Sequence, residues 1–170
     1  MATDAHKSHS EEPGQPITRL LVVVDAAVAD VEDLPARARD LVHTAGEVYV
    51  VTPSLPGRLD WLTDDIDRSR HSAEERLDVV LNHMRSLGAR ATGTIGDAST
   101  LTAFADAVTK FHPDHILVAL RSSEHANWQE RRLVRHVKER FDVPLTAYVV
   151  DPRGHVRARS YTCSRLPTDH

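Results

Sequence analysis

Arg19-Leu-Leu-Val-Val-Val-Asp25 is an almost unbroken apolar run that ends on a carboxylate. A half-exposed strand alternates apolar and polar residues. A strand that is apolar throughout is covered on both faces, as in a parallel sheet between two layers of helices. Further strands are read at Glu47-Val-Tyr-Val-Val-Thr52, which Pro53 stops, at the short stretch Arg90 to Ile95, at His115-Ile-Leu-Val-Ala-Leu120, which is buried, and at Leu145 to Val150.

Helical periods separate these strands. From about Asp33, whose carboxylate can cap, Leu34, Ala38, Leu41, Val42 and Ala45 form one stripe, and Gly46 supplies the stop. The polar stretch 53–70 carries no regular element, although Leu59, Trp61, Leu62 and Ile66 can pack a short turn. Ser72 and Glu75 make a capping box ahead of Leu77, Val80, Leu81, Met84 and Leu87, and Gly88 ends that helix. After Gly96-Asp97 a third helix, about Ser99 to Phe111, turns Leu101, Phe104, Ala105 and Val108 inward until Pro113 breaks it. Asn127 caps a fourth, with Glu130 at N3 and Leu133, Val134, Val137 and Phe141 on its buried stripe, and Pro144 closes it. Alternating strands and helices dictate a three-layer α/β fold: a five-stranded parallel sheet with right-handed crossovers and helices on both faces. Ligands of such sheets bind at the carboxyl ends of the strands, where the strand order reverses. Here those ends are Asp25-Ala-Ala and Leu120-Arg-Ser-Ser.

The 170 residues are enough for one domain with a sizeable core, residues 17–151, between a leading tail and a C-terminal extension. A composition of 41% hydrophobic and 27% charged residues excludes a disordered or fibrous chain. Twenty-one Lys and Arg against 25 Asp and Glu give a net charge of −4, which argues against nucleic acid as a partner. No apolar stretch is long enough to cross a bilayer, so no membrane partner is expected. Residues 1–16 contain no Leu, Ile, Val or aromatic residue and read as a flexible tail without the apolar core of a signal peptide. From that absence and the single Cys163, the protein is expected to stay in the cytoplasm. His6 and His9 on the tail lack further fixed ligands, so no metal is assigned.

In order and spacing, LLVVVD at 20–25, EVYVVTP, the long helix into ARATGTIGDAS, DHILVAL and RFDVPLTAYVVD at 140–151 resemble a universal stress protein domain. The resemblance covers about 135 of the 170 residues. It is nearest to an actinobacterial branch carrying -NWxER- after the fourth strand, here Asn127 to Arg131, and -RFDVPxT- before the fifth, here Arg140 to Thr146. It implies strand order 3-2-1-4-5, adenine-nucleotide binding, a homodimer and a role in stress response. The ATP-binding members carry G-x2-G-x9-G-[ST] from the fourth strand into the last helix, where glycines let backbone N–H groups approach the phosphates. This chain has no glycine between Gly96 and Gly154, and Leu120 and Ser123 stand at the first two positions. ATP is therefore disfavoured as a cofactor.

An anion can instead be met by Arg121, Ser122, Ser123 and the start of the last helix with Arg131 and Arg132; in the competing reading Arg131, Arg135 and Lys138 are a solvated helix face. By resemblance Asp25 takes the place of the residue that contacts adenosine, and a turn or cap role is the other reading. Ala26 and Val51 complete the candidate ligand contacts, and Trp128 reads as a packing anchor. No catalytic constellation is found. His43, His83 and His136 lack the i,i+4 partner and glutamate of a zinc protease motif, and the Ser122-Ser123-Glu124-His125 run is too local for a triad. The chain is expected to be a non-catalytic regulatory protein acting through dimerisation and an unknown protein partner; the competing function is a nucleotide or other anionic-ligand binder.

After the fifth strand, Asp151-Pro-Arg-Gly154 reads as a turn, and His155-Val-Arg-Ala-Arg-Ser-Tyr-Thr162 alternates as a half-exposed strand does. A sixth, antiparallel strand on the fifth is predicted, with Arg157 and Arg159 discouraging further strand addition. The competing reading is a loose basic tail.

Overall fold

The computed structural model describes residues 16–54, 66–96, 100–122, 132, 135–136 and 139–163. The elements are β1 (Arg19–Val24), a 3-10 turn (Val31–Asp33), α1 (Ala36–Thr44), β2 (Glu47–Pro53), α2 (Ile66–Ser86), β3 (Ala91–Gly96), α3 (Thr100–Phe111), β4 (His115–Arg121), β5 (Leu145–Val150) and β6 (Val156–Cys163). They build one sheet in the order β3-β2-β1-β4-β5-β6. Every pairing is parallel except β5 with β6.

The central strands β1 and β4 form because both their faces are dry, whereas the edge strand β3 fully buries only Ala91. Leu20, Val22 and Val24 pack with Ala38, Leu41 and Val42 of α1 and Val80, Leu81 and Met84 of α2. Leu21 and Val23 pack on the opposite face with Ala103, Phe104, Ala107 and Val108 of α3. On β4 Leu117 belongs to the first core, and Ile116, Val118 and Leu120 to the second. The expected burial of Val23, Val24, Leu117 and Val118 holds for all four.

The helix starts depart from the sequence expectation. Asp33 caps no α-helix: it ends the 3-10 turn, and α1 begins at Ala36 with Pro35 in the cap position and no side-chain bond there. Nor do Ser72 and Glu75 open α2, which begins at Ile66. Exposed His71–Glu74 and His71–Glu75 contacts and an Arg70–Glu74 pair line its first turns, so polar residues carry the helix past the end of its apolar stripe. The end is as expected. Gly88, at φ 84°, donates to the Arg85 carbonyl while Ala89 donates to that of Met84, which together make a Schellman stop. In α3 Ala103 and Ala107, rather than Leu101 and Ala105, complete the fully buried stripe.

The C-terminal strand is present. Gly154, at φ 82°, donates to Asp151, and the N–H groups of His155 and Arg153 bond the Asp151 carboxylate, holding its pKa below the usual carboxylate value. The pairing of β6 on β5 shifts register between Ala147 and Val149. The helix expected after β4 appears as helical backbone at 132, 135, 136, 139 and 140; its predicted cap Asn127, with Glu130, Leu133, Val134 and Val137, lies outside the described residues. So do tail residues 1–15, the 55–65 stretch with Leu59, Trp61 and Leu62, and residues 164–170. Among the described residues no helix is long and apolar enough to cross a membrane.

Candidate functional site

Strands β1 and β4 are neighbours, Val24 standing beside Ala119, so both carboxyl ends arrive at the point where the strand order reverses. Beyond that pair the Asp25 N–H still donates to the Ala119 carbonyl at 2.9 Å. The chain then closes on itself. The Arg121 N–H donates to Asp25 Oδ2 at 3.3 Å, and Arg121 Nη2 donates to the Asp25 carbonyl oxygen, also at 3.3 Å. The second carboxylate oxygen, Oδ1, is buried without a hydrogen-bond partner. A buried, unpaired carboxylate oxygen is costly and uncommon.

A third charged group joins them from α2. Arg76 is half-buried, and its Nη1 donates to the Pro53 carbonyl at the end of β2, at 3.3 Å. Burial, then the positive charge of Arg121, lower its pKa from the usual arginine value, and the Asp25 charge partly offsets this. The helix is tied down one turn earlier, where buried Thr52 Oγ1 donates to the Ala73 carbonyl at 3.2 Å. The carboxyl edge thus carries two guanidiniums and one carboxylate from three elements.

Of the residues expected to meet a ligand, Asp25 and Arg121 come together at this edge. Ala26, half-buried, packs beside them against the core under α1 and α2. Ser122 is adjacent and its N–H donates to the Val150 carbonyl at 2.8 Å. Two expectations are corrected. Leu120 and Val51 are 7% and 2% exposed and point into the core on the α3 face, because alternate residues of a strand face opposite ways. Val51 lines a cleft of about 310 Å3 between β2, β3 and α3, away from the charged edge. Arg132 is helical and exposed. Ser123 and Arg131 lie outside the described residues.

Sequence reasoning missed Arg76. A signal existed: it follows Ala73 and precedes Leu77 and Val80, so a long cation borders the buried stripe of α2 instead of its solvent face. It also missed the contact of the β5–β6 turn with the loop after β1, where the Ala29 N–H donates to the Gly154 carbonyl at 3.0 Å. Among the described residues no group of three or more His, Cys, Asp or Glu could hold a metal ion. No protein-family model matches the chain, and no curated protein matches it significantly.

Proposed function

We propose that this chain is a universal stress protein-like regulatory protein of the cytoplasm, non-catalytic, acting through a second copy of itself and protein partners and not through ordinary ATP binding. One observation carries the reading: Arg121, at the end of β4, is bonded to Asp25 through both its N–H and its guanidinium. A glycine cradle binds phosphate with free backbone N–H groups and no side chain in the way. Here Leu120 and Ser123 stand at the first two glycine positions, and the N–H of Arg121 between them is committed to a carboxylate. The Asp25 carbonyl oxygen and Oδ2 are engaged as well, and Oδ1 is not. Because β6 covers the edge of β5, self-association falls to the outer edge of β6 or to a helical face.

Purified protein extracted with acid should release no stoichiometric nucleotide by ultraviolet absorbance and mass spectrometry. Titration calorimetry with Mg-ATP should show weak binding or none. Micromolar affinity for Mg-ATP, or one nucleotide per chain in the extract, would reject the proposal. A second reading, a binder of some other anionic ligand, is favoured by Arg76 and Arg121, which bond the carbonyls at the ends of the adjacent strands β2 and β1.

A further inference from the structure

The register that pairs Val23 with Val51 brings Asp25 and Pro53, two residues further on, to the ends of adjacent parallel strands, which run about 4.8 Å apart. Each of these ends holds a guanidinium by its carbonyl oxygen: Arg121 reaches the Asp25 carbonyl from β4, and Arg76 reaches the Pro53 carbonyl from α2. We infer that Arg76 and Arg121 together clamp a phosphate-type oxyanion at the carboxyl ends of β1 and β2. This rests on the anionic-ligand reading and specifies its site and ligand class.

A guanidinium has five N–H donors in a planar fork that matches the spacing of phosphate oxygens. Each of these forks spends one donor on a main-chain carbonyl, which aims it without neutralising it. Asp25 offsets their charge only in part. Its carboxylate makes no ion pair with Arg76 or Arg121; Oδ2 accepts the Arg121 backbone N–H, and Oδ1 is buried with no partner. Two guanidiniums against this one carboxylate leave a positive excess for an oxyanion, although Oδ1 itself calls for a donor and does not attract one. The Arg76 pKa is lowered by burial first and by the Arg121 charge second, so the two guanidiniums repel each other. A shared anion reverses the sign of that interaction, and the half-burial of Arg76 strengthens it. Unlike a glycine cradle, this arrangement draws its donors from side chains, so the missing glycines do not weaken it.

The test uses the full chain with inorganic phosphate, at constant ionic strength made up with chloride, read by calorimetry and thermal unfolding. Adenosine 5′-monophosphate and ribose 5-phosphate serve as carriers of the same group. Saturable phosphate binding that raises Tm is expected in the wild type. Arg76→Gln and Arg121→Gln should each weaken it tenfold or more, while Arg39→Gln, on the exposed side of α1, leaves it unchanged. Far-UV circular dichroism checks the fold. If a glutamine variant is unfolded, lysine at that position, which keeps the charge and loses the fork, should weaken binding in the same direction. Full phosphate affinity in either arginine variant overturns the clamp and leaves the anionic-ligand reading standing without it. Failure of all three probes to bind the wild type overturns both.

Discussion

Arg19 and Asp114 bond each other reciprocally: the Asp114 N–H donates to the Arg19 carbonyl at 3.0 Å, and the Arg19 N–H donates back to the Asp114 carboxylate at 3.1 Å. The same carboxylate accepts the Thr18 N–H at 2.8 Å, so one side chain fastens the amino ends of β1 and β4. The residue is exposed, which limits the energy. Asp114→Ala is predicted to cost about 1–2 kcal/mol in urea unfolding, with an unchanged m-value. A loss under 0.3 kcal/mol, an estimate of the usual additivity error, would show the clasp to be idle.

Leu117 is fully buried in the core under α1 and α2. Leu117→Ala should cost about 2–5 kcal/mol, the range for a leucine truncated in a close-packed core. Equilibrium denaturation measures it. A value below about half a kcal/mol would contradict the placement of β4 at the centre of the sheet.

His115 opens β4 with 6% of its surface exposed, and its Nε2 lies 3.0 Å from Thr146 Oγ1. Burial first, and then the charge of Arg37, lower its pKa to about 4, with Asp114 acting in the opposite sense. The unfolded chain therefore takes up this proton near pH 6.5, and the folded chain only near 4. Stability should fall as pH drops through that window, by about 3 kcal/mol from this group, and this contribution should level off below it. Thermal unfolding from pH 7.5 to 4 for wild type and His115→Gln tests this. Parallel curves for the two proteins would refute it.

Gly154 has no room for a side chain. Its φ is 82°, and a Cβ there would stand 2.7 Å from the Ala29 nitrogen. Gly154→Ala should destabilise the β5–β6 hairpin by about 1–3 kcal/mol while sparing β1 and β4. Hydrogen exchange should show faster amides across 156–163 and little change in 20–24. Unaltered protection in β6 would argue against a tight turn.

Most of the fold was legible because it is periodic. Leu20 to Val24 cannot be solvated on either side, and Val80, Leu81 and Met84 cannot be buried together except on a helix. The starts of α1 and α2 were not legible, since backbone hydrogen bonds and exposed contacts such as Arg70–Glu74 extend a helix without leaving an apolar period. The site divides the same way. Asp25 and Arg121 follow from strand ends and topology. Arg76 joins them only through the packing of α2 over β2, and Leu120 and Val51 were misplaced because proximity along a strand does not say which face a side chain takes.

The loop after β1 is synthesised early and completed late. Asp25 finds Arg121 96 residues downstream, and Ala29 waits still longer for Gly154. At a ribosome's pace of about 5–20 residues per second, the charged edge stays unassembled for roughly 5–20 seconds after its first carboxylate emerges. Until then Asp25 has only water to bond. The edge where a ligand would bind is thus completed only once β4 has been made, and the neighbouring Ala29–Gly154 contact only once the β5–β6 turn has followed.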